Sequence, residues 1–243
     1  MIKFFRKIRY DLMEKNKTGK YLKYAIGEII LVIIGILIAL SINNWNENRK
    51  LKIEEQNSLK DLRTEIVSNI EALSSAIESN HKSYNLGQKF IKLLDDREAF
   101  DVMPDSVFRS DYLSMVYSIS TFDPIMGILN SMISSGKINN ISNKELLYSL
   151  SSLNDLIIDA LEDQKKIELN LDRFVEKIYT SSNVIINGQN QGVNFNLYYD
   201  NPWFRLLIRR YLVAIRESGL NEEAKLLDQF KHILELIDKE IVK

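Results

Sequence analysis

The chain has 243 residues, of which 45% are hydrophobic and 27% charged, and its net charge is −1. This balance is typical of a folded domain and argues against general nucleic-acid binding, which leaves a basic footprint on a sequence. The absence of cysteine excludes disulfides, thiolate metal sites and thiol nucleophiles, while three prolines and nine glycines favour long helices over a many-turned β fold.

Residues 1–24 form a short basic segment with eight Lys or Arg against two acidic residues, so the rest of the chain carries −7. Apolar residues recur between the basic ones at helical spacing. We predict an amphipathic helix on the cytoplasmic surface of a membrane, with anionic lipid headgroups as its partner. Alternatively, these charges serve only as a topology signal.

An apolar run, Ala25–Ile42, follows this basic segment and contains Glu28 as its only ionisable residue. As a helix it would cover roughly 27 Å, close to the ~30 Å hydrocarbon core of a bilayer. Because Lys and Arg are concentrated before it, we predict a transmembrane signal-anchor over residues 25–45, with the N-terminus in the cytoplasm. Residues 46–243 are then a periplasmic domain held at the bacterial inner (cytoplasmic) membrane.

Aromatic residues flank the span in the positions of interfacial anchors, namely Tyr21, Tyr24 and Trp45. They favour an uncleaved anchor. The competing interpretation is a signal peptide cut after Ser41, which has small residues at the appropriate positions.

The polar and small residues of the span are each open to two interpretations. Glu28 either reaches the headgroups or pairs with a basic neighbour, or it faces another subunit or a partner as a polar contact or ion-pathway residue. Gly35 and Ala39 form a small-xxx-small pair with Gly27 on nearly the same face, which permits close helix packing, although glycine is common in membrane helices. The protein is therefore expected to form a homo-oligomer or to bind a membrane protein.

The remainder of the chain is predicted to be helical. Apolar residues recur in steps of three and four from Leu59 to Ile77, which indicates an amphipathic helix that either continues the span as a rigid stalk or begins a bundle. Further helices are predicted at about 83–96, after Pro104, from Asp123-Pro124, at about 143–180, from Asn201-Pro202, and beyond a break at Ser218-Gly219. Gly136 is predicted to end the helix that starts at Asp123-Pro124, and Ser142 or Asn143 to cap the next one. Residues 181–200 are predicted to be a loop. The fold class is all-α, with one N-terminal transmembrane helix followed by an antiparallel helical bundle.

Two stretches carry a resemblance to a known family. The opening FFRKIRYDLMEKNKTGKYLKYAIGEIILVIIGILIALSINNWNE and the later TFDPIMGILNSMISSGKINNISNKEL resemble a family of uncharacterised single-pass membrane proteins common in Bacteroidota. The resemblance covers about a third of the chain. It implies one membrane helix and a helical exported domain, and it supplies no substrate and no catalytic residues.

A search for chemical motifs finds no phosphate-binding glycine loop, no nucleophile elbow and no zinc-protease motif. The two histidines, His81 and His232, stand alone, and paired carboxylates are best explained as solvated helix faces. No cofactor, metal or catalytic residue is therefore expected. A basic-aromatic cluster is a candidate contact for a partner or ligand, although surface arginines explain it equally; it contains Trp203, Phe204, Arg205, Arg209 and Arg210.

These observations favour a non-enzymatic, membrane-anchored scaffold or accessory subunit of an envelope complex. A second hypothesis is a ligand-binding periplasmic sensor that signals through a membrane partner, because only about 24 residues face the cytoplasm. A third is a homo-oligomeric ion conduit that uses Glu28.

Overall fold

The computed structural model describes residues 10, 18–107, 110–111, 120–181, 185–186, 189–190 and 199–241. The chain divides into two compact units, Met1–Glu55 and Gln56–Lys243. The prediction of a helical protein is confirmed, since the described residues are helices and connections apart from one two-residue strand pair. Strands β1 (Ile185–Ile186) and β2 (Gln189–Asn190) pair in antiparallel register within the predicted loop.

Helix α1 (Thr18–Leu94) contributes residues to both units. In the first unit, its 18-residue apolar window has a mean hydropathy of 2.8, and none of the window is buried. Among the described residues this is the one helix long and apolar enough to cross a membrane, although an N-terminal signal sequence meets the same criterion. The predicted amphipathic helix of residues 1–24 lies largely outside the described residues.

In the second unit, α1 continues without interruption, so the separate helix predicted at about 83–96 is wrong. It is followed by α2 (Arg97–Asp101), which Asp96 caps through its side chain, and α3 (Asp105–Val107). Helix α4 (Gly127–Ser134) has Ser135 as its C-cap and is followed by Gly136. The left-handed backbone of Gly136 (φ 74°) confirms the predicted glycine after the helix and leads into a 3-10 helix, Lys137–Asn140.

The remaining helices are α5 (Lys144–Ser151), α6 (Leu153–Ser181), α7 (Pro202–Leu207), a π-helix (Ile208–Ile215) and α8 (Arg216–Glu240). Asn143 caps α5 by accepting from the Leu146 amide, and Asn201 caps α7 with Pro202 at the first position, as predicted. The predicted helix at about 143–180 is divided at Ser152.

The predicted break at Ser218-Gly219 is wrong, because α8 runs through both residues. Gly219 is buried, and a Cβ built on it would lie 3.4 Å from the Cβ of Asp163 on α6. The glycine therefore serves close packing between α6 and α8 instead of ending a helix.

The interior of the second unit contains two hydrophobic clusters. The first unites α1 residues from Leu59 to Ala76 with α4, α5, the beginning of α6 and the end of α8, and it includes an edge-to-face pair, Phe122–Phe230. The second unites Phe90 and Leu94 with α2, the later part of α6, α7 and the π-helix, and it includes the edge-to-face pair Phe90–Phe204. The Gln56 side chain donates a hydrogen bond to the Glu240 carbonyl, which joins positions 184 residues apart.

Candidate functional site

A layer of polar side chains, three buried and one half-buried, lies between the two clusters along each of α1, α6 and α8. On α1, Asn80 falls between Ala76 and Phe90; on α6, Gln164 falls between Ala160 and Ile167. Arg216 and Glu223 follow Leu212, the last buried residue of the second cluster. They precede Leu226, the first α8 residue of the first cluster. We call these four residues, Asn80, Gln164, Arg216 and Glu223, the polar layer.

Arg216 is the centre of the polar layer and is only 2% exposed. Its Nη1 donates to Oδ1 of Asn80 at 2.9 Å. Its Nε and Nη2 are buried and donate to no protein group in the part of the chain that the structure describes. An arginine with two unmet buried donors is unusual, because leaving such donors unpaired costs free energy.

Glu223 and Asn80 are hydrogen-bonded to each other in the layer. The Nδ2 of Asn80 lies 3.3 and 3.4 Å from the two carboxylate oxygens of Glu223 and 3.2 Å from the carbonyl oxygen of Ser120. Burial raises the pKa of Glu223, against the opposing effects of Asn80 and Arg216. Burial likewise lowers the pKa of Arg216 to about 10, against the opposing charge of Glu223.

A cleft opens onto this layer. It is lined by Asn80, Gln164, Ile167, Arg216, Gly219, Leu220 and Glu223 and encloses about 260 Å³ of space, counting solvent at its mouth. The π-helix ends one residue before Arg216, and π-helical turns occur frequently at functional sites. The cleft therefore combines a cation, a carboxyl group and two amides with an apolar wall.

A second polar arrangement fixes the segment that precedes α4. Asn69 of α1 donates to the Ile125 carbonyl at 2.7 Å and accepts from the Ile125 amide at 2.8 Å. Glu65 accepts from the amides of Ile128 and Leu129 at 2.6 and 3.0 Å, so it caps α4 from another helix. The predicted N-cap at Asp123 with Pro124 is therefore wrong, because α4 begins at Gly127 and its start is set by α1.

The basic-aromatic cluster is divided between surface and interior. Phe204 is 2% exposed and packs on Phe90, so the prediction that it contacts a partner does not fit its position. Trp203 is half-buried against the second hydrophobic cluster. Arg205 and Arg209 both bind one oxygen of Asp95, while Arg210 is exposed beside the Tyr211 ring. The surface role of the three arginines stays a prediction.

Beside that cluster, two guanidinium groups lie near one tyrosine ring. The Cζ of Arg97 is 4.5 Å and that of Arg205 is 5.3 Å from the ring centre of Tyr199. Arg97 also pairs with Asp101 and Asp200. These exposed pairs hold α1, α2 and α7 together at the surface and contribute modestly to stability.

The residues singled out in the span lie in the first unit. Gly27, Gly35 and Ala39 are exposed along α1, and Cβ atoms built on the two glycines would contact nothing within 4 Å. Tyr24 and Trp45 are 56% and 65% exposed, and the Tyr21 side chain lies outside the described residues. Glu28 is half-exposed and makes an interaction within the chain. Their predicted membrane roles stay predictions.

No group of three His, Asp or Glu residues suited to a metal ion occurs among the described residues. His232 lies 3.2 Å from a Glu145 oxygen on an exposed surface. His81 is exposed on α1.

Sequence reasoning missed the polar layer. Its members are far apart in the chain, and each has an ordinary explanation when taken alone. A signal was nevertheless present: Arg216 is four residues from both Leu212 and Leu220, so it lies on an apolar helix face where a charge is expensive.

Comparison with known proteins places the chain in a family. Residues 28–161, more than half of the chain, match the model of a family of unknown function, DUF6090. The protein therefore belongs to this family. No curated protein and no solved structure matches it. The matched range contains Glu65, Asn69 and Asn80, whereas Gln164, Arg216 and Glu223 lie beyond it.

Proposed function

We propose that this protein is a non-enzymatic, membrane-anchored scaffold or accessory subunit of a bacterial envelope complex, of the kind found in Bacteroidota. Helix α1 anchors it in the inner membrane, the N-terminus faces the cytoplasm, and the second unit is a periplasmic interaction domain arranged as an antiparallel helical bundle. The observation that carries the proposal is the apolar window of α1, in which no residue is buried. A soluble core helix would bury such a surface, because exposed apolar area of this size is costly in water.

Three features of the sequence support the orientation and the partners. The basic residues precede the span, as the positive-inside rule requires for a cytoplasmic N-terminus. They also suit anionic lipid headgroups, whereas the net charge of −1 gives no basis for nucleic-acid binding. Gly27, Gly35 and Ala39 offer a narrow face for a second copy or a membrane-protein partner.

Membrane anchoring is tested by fractionation of cells that express the full chain. The protein should remain in the membrane pellet after an alkaline carbonate wash, and N-terminal sequencing should find an intact basic segment. Protease added to spheroplasts should digest the second unit. A soluble mature chain that begins at Ile42 would instead show a cleaved signal peptide and would end the anchor proposal.

Association is tested in detergent with Gly35→Leu and Ala39→Leu. Because the Gly35 position has open space around it, the substitution should leave the isolated chain folded, so a change in assembly size reports helix–helix contact. Leu40→Phe adds bulk to the opposite face of the same helix and is the matched control. A monomer for the wild-type chain, with no membrane protein cross-linked to it, would contradict the scaffold.

A second function, that of a ligand-binding sensor acting through a membrane partner, is supported by the cleft at the polar layer. The cleft is lined by a buried arginine, a carboxyl group and two amides beside apolar side chains. Such a combination is the usual composition of a small-molecule site.

A further inference from the structure

The part of α1 that follows the apolar run carries opposite charges on opposite faces of the helix. At roughly 3.6 residues per turn, Trp45, Arg49 and Lys52 lie within about 60° of one another around the helix axis. Glu47 and Glu54 lie on the far side, about 170° from the middle of that group. We call Trp45, Arg49 and Lys52 the basic face.

All three residues of the basic face belong to the first unit and are exposed. The Trp45 side chain is 65% exposed. Arg49 and Lys52 form no ion pair in the part of the chain that the structure describes. Two cations that no described carboxylate neutralises are therefore available to an anion from outside the chain.

Membrane topology does not account for these two cations. The positive-inside rule places Lys and Arg before the span, where the chain has eight, and favours few of them on the other side. Arg49 and Lys52 nevertheless follow Trp45 closely. A binding partner explains their position better than a sorting signal does.

The distances along the helix suit the phosphate groups of lipids. A helix rises about 1.5 Å per residue, so Arg49 and Lys52 lie about 6 Å and about 10 Å beyond Trp45. Tryptophan marks the headgroup level of a bilayer, and the headgroup layer is about 5–8 Å thick on each side of the hydrocarbon core. Long basic side chains bend back toward that layer while their stems cover the helix. Both charges therefore reach the phosphates without any change in α1.

We propose that the basic face binds the phosphate groups of anionic phospholipids at the periplasmic end of the span. The proposal rests on the membrane anchoring proposed above, and it assigns a lipid class to the end of the span opposite to the N-terminal basic segment. The lipid supplies the negative charge that Arg49 and Lys52 lack, and Trp45 packs where the headgroup meets the acyl chains. Glu47 and Glu54 repel anionic lipids from the opposite face, so the enrichment is one-sided.

The face predicted to contact a second copy lies elsewhere on the helix. Gly35 and Ala39 lie about 90° around the axis from the basic face, so association through them leaves the basic face open to lipid. The competing occupant is a second copy that pairs its own Glu47 and Glu54 with the basic face. Such pairing depends on protein concentration, whereas contact with lipid does not.

The experiment measures which lipid lies beside Trp45. Trp203→Phe leaves Trp45 as the only tryptophan, and the full chain is reconstituted in phosphatidylcholine vesicles that contain a minority of phosphatidylglycerol. Bromine, which quenches tryptophan fluorescence on contact, is carried on the upper acyl chain of either the phosphatidylglycerol or an equal amount of the phosphatidylcholine. The two preparations then differ only in which lipid is labelled. We expect brominated phosphatidylglycerol to quench at least about twofold more strongly, and the difference to shrink in concentrated salt.

Substitutions separate the basic face from the general charge of this segment. The double variant Arg49→Gln/Lys52→Gln should quench equally with the two labelled lipids, because the attraction to the anionic headgroup is gone. Arg49→Gln alone should lower the preference more than Lys50→Gln does. Lys50→Gln is the matched control, since it removes the same charge about 100° around the helix from Arg49. All of these positions are exposed, so the variants should fold.

The outcomes separate this proposal from the anchor on which it rests. Equal quenching by the two labelled lipids in the Trp203→Phe background, or equal effects of Arg49→Gln and Lys50→Gln, overturns the proposal and leaves the anchor intact. Quenching by neither lipid puts Trp45 away from the membrane and overturns the anchor as well. Protection from both lipids that grows with the ratio of protein to lipid assigns the face to a second copy and also overturns the proposal.

Discussion

The Asn69 side chain binds both the backbone amide and the carbonyl of Ile125, at 2.8 and 2.7 Å. It therefore satisfies the two backbone groups in the way that a neighbouring β-strand would. Asn69 is itself fully buried, and its amide is matched to the extended segment before α4. The bidentate contact fixes where that segment crosses α1.

We expect Asn69→Ala to lower the free energy of unfolding by about 2 kcal/mol, because it leaves the buried backbone groups of Ile125 without partners. Urea unfolding of the full chain in detergent measures the change. Asn130→Ala, an exposed asparagine on α4, is the control and should change stability by less than about 0.5 kcal/mol. Equal effects from the two substitutions would show that the Asn69 contact is energetically unimportant.

Glu65 is expected to stabilise the start of α4 through its charge as well as its hydrogen bonds. Met126 offers no capping side chain, and the Glu65 carboxylate lies at the positive end of the helix. Glu65→Gln should cost about 1 kcal/mol and Glu65→Ala about 2 kcal/mol. Amide hydrogen exchange at Ile128 and Leu129 should accelerate in both variants. The exposed Glu71→Gln is the matched control, and unchanged exchange in the Glu65 variants would refute the cap.

Stability should depend on pH through Glu223. Because burial raises its pKa above 4.5, the folded protein keeps this proton at pH values where the unfolded chain has released it. The contribution to stability is therefore complete below pH 4.5 and is lost as pH rises through the raised pKa. The free energy of unfolding of the wild type, minus that of Glu223→Gln, should fall as pH rises above 4.5. Glu217→Gln, an exposed carboxyl on the same helix, should give a flatter difference.

The two hydrophobic clusters should respond independently to mutation. Phe90→Leu and Phe122→Leu each remove part of one edge-to-face aromatic pair and should cost about 1–2 kcal/mol. Because the two residues belong to different clusters with the polar layer between them, the double variant should be additive within about 0.5 kcal/mol. A coupling energy well above that value, from a double-mutant cycle in urea, would mean that the clusters form one core.

Sequence signals predicted the ends of helices correctly where the capping residue is a close neighbour in the chain. Asn143 and Asn201-Pro202 start their helices as predicted, and Gly136 ends one, because each interaction joins neighbours in the chain. Asp123-Pro124 carries an equally good signal and fails. There, Asn69 and Glu65, more than 50 residues away, accept from the backbone amides and select a different start.

The buried polar contacts of α1 could be predicted from the sequence only in part. Asn69 continues the three-and-four spacing of Leu62, Ile66 and Leu73, so a polar residue on the apolar face of α1 was visible. Its partner was not, since periodicity says nothing about which backbone lies opposite. Asn80 meets Arg216 and Glu223 across separations of more than 130 residues, which only the packed helices determine.

The hydrogen bond from Gln56 to Glu240 has a consequence for biosynthesis. The first residues of the second unit find their partners in its last helix, so the first cluster cannot close until 184 further residues have been made. During that interval Leu59, Leu62 and Ile66 have no native cover from α8. Contacts of such long range slow folding and leave apolar surface exposed to aggregation. We therefore expect the nascent chain to bind a chaperone that protects unfolded chains from aggregation.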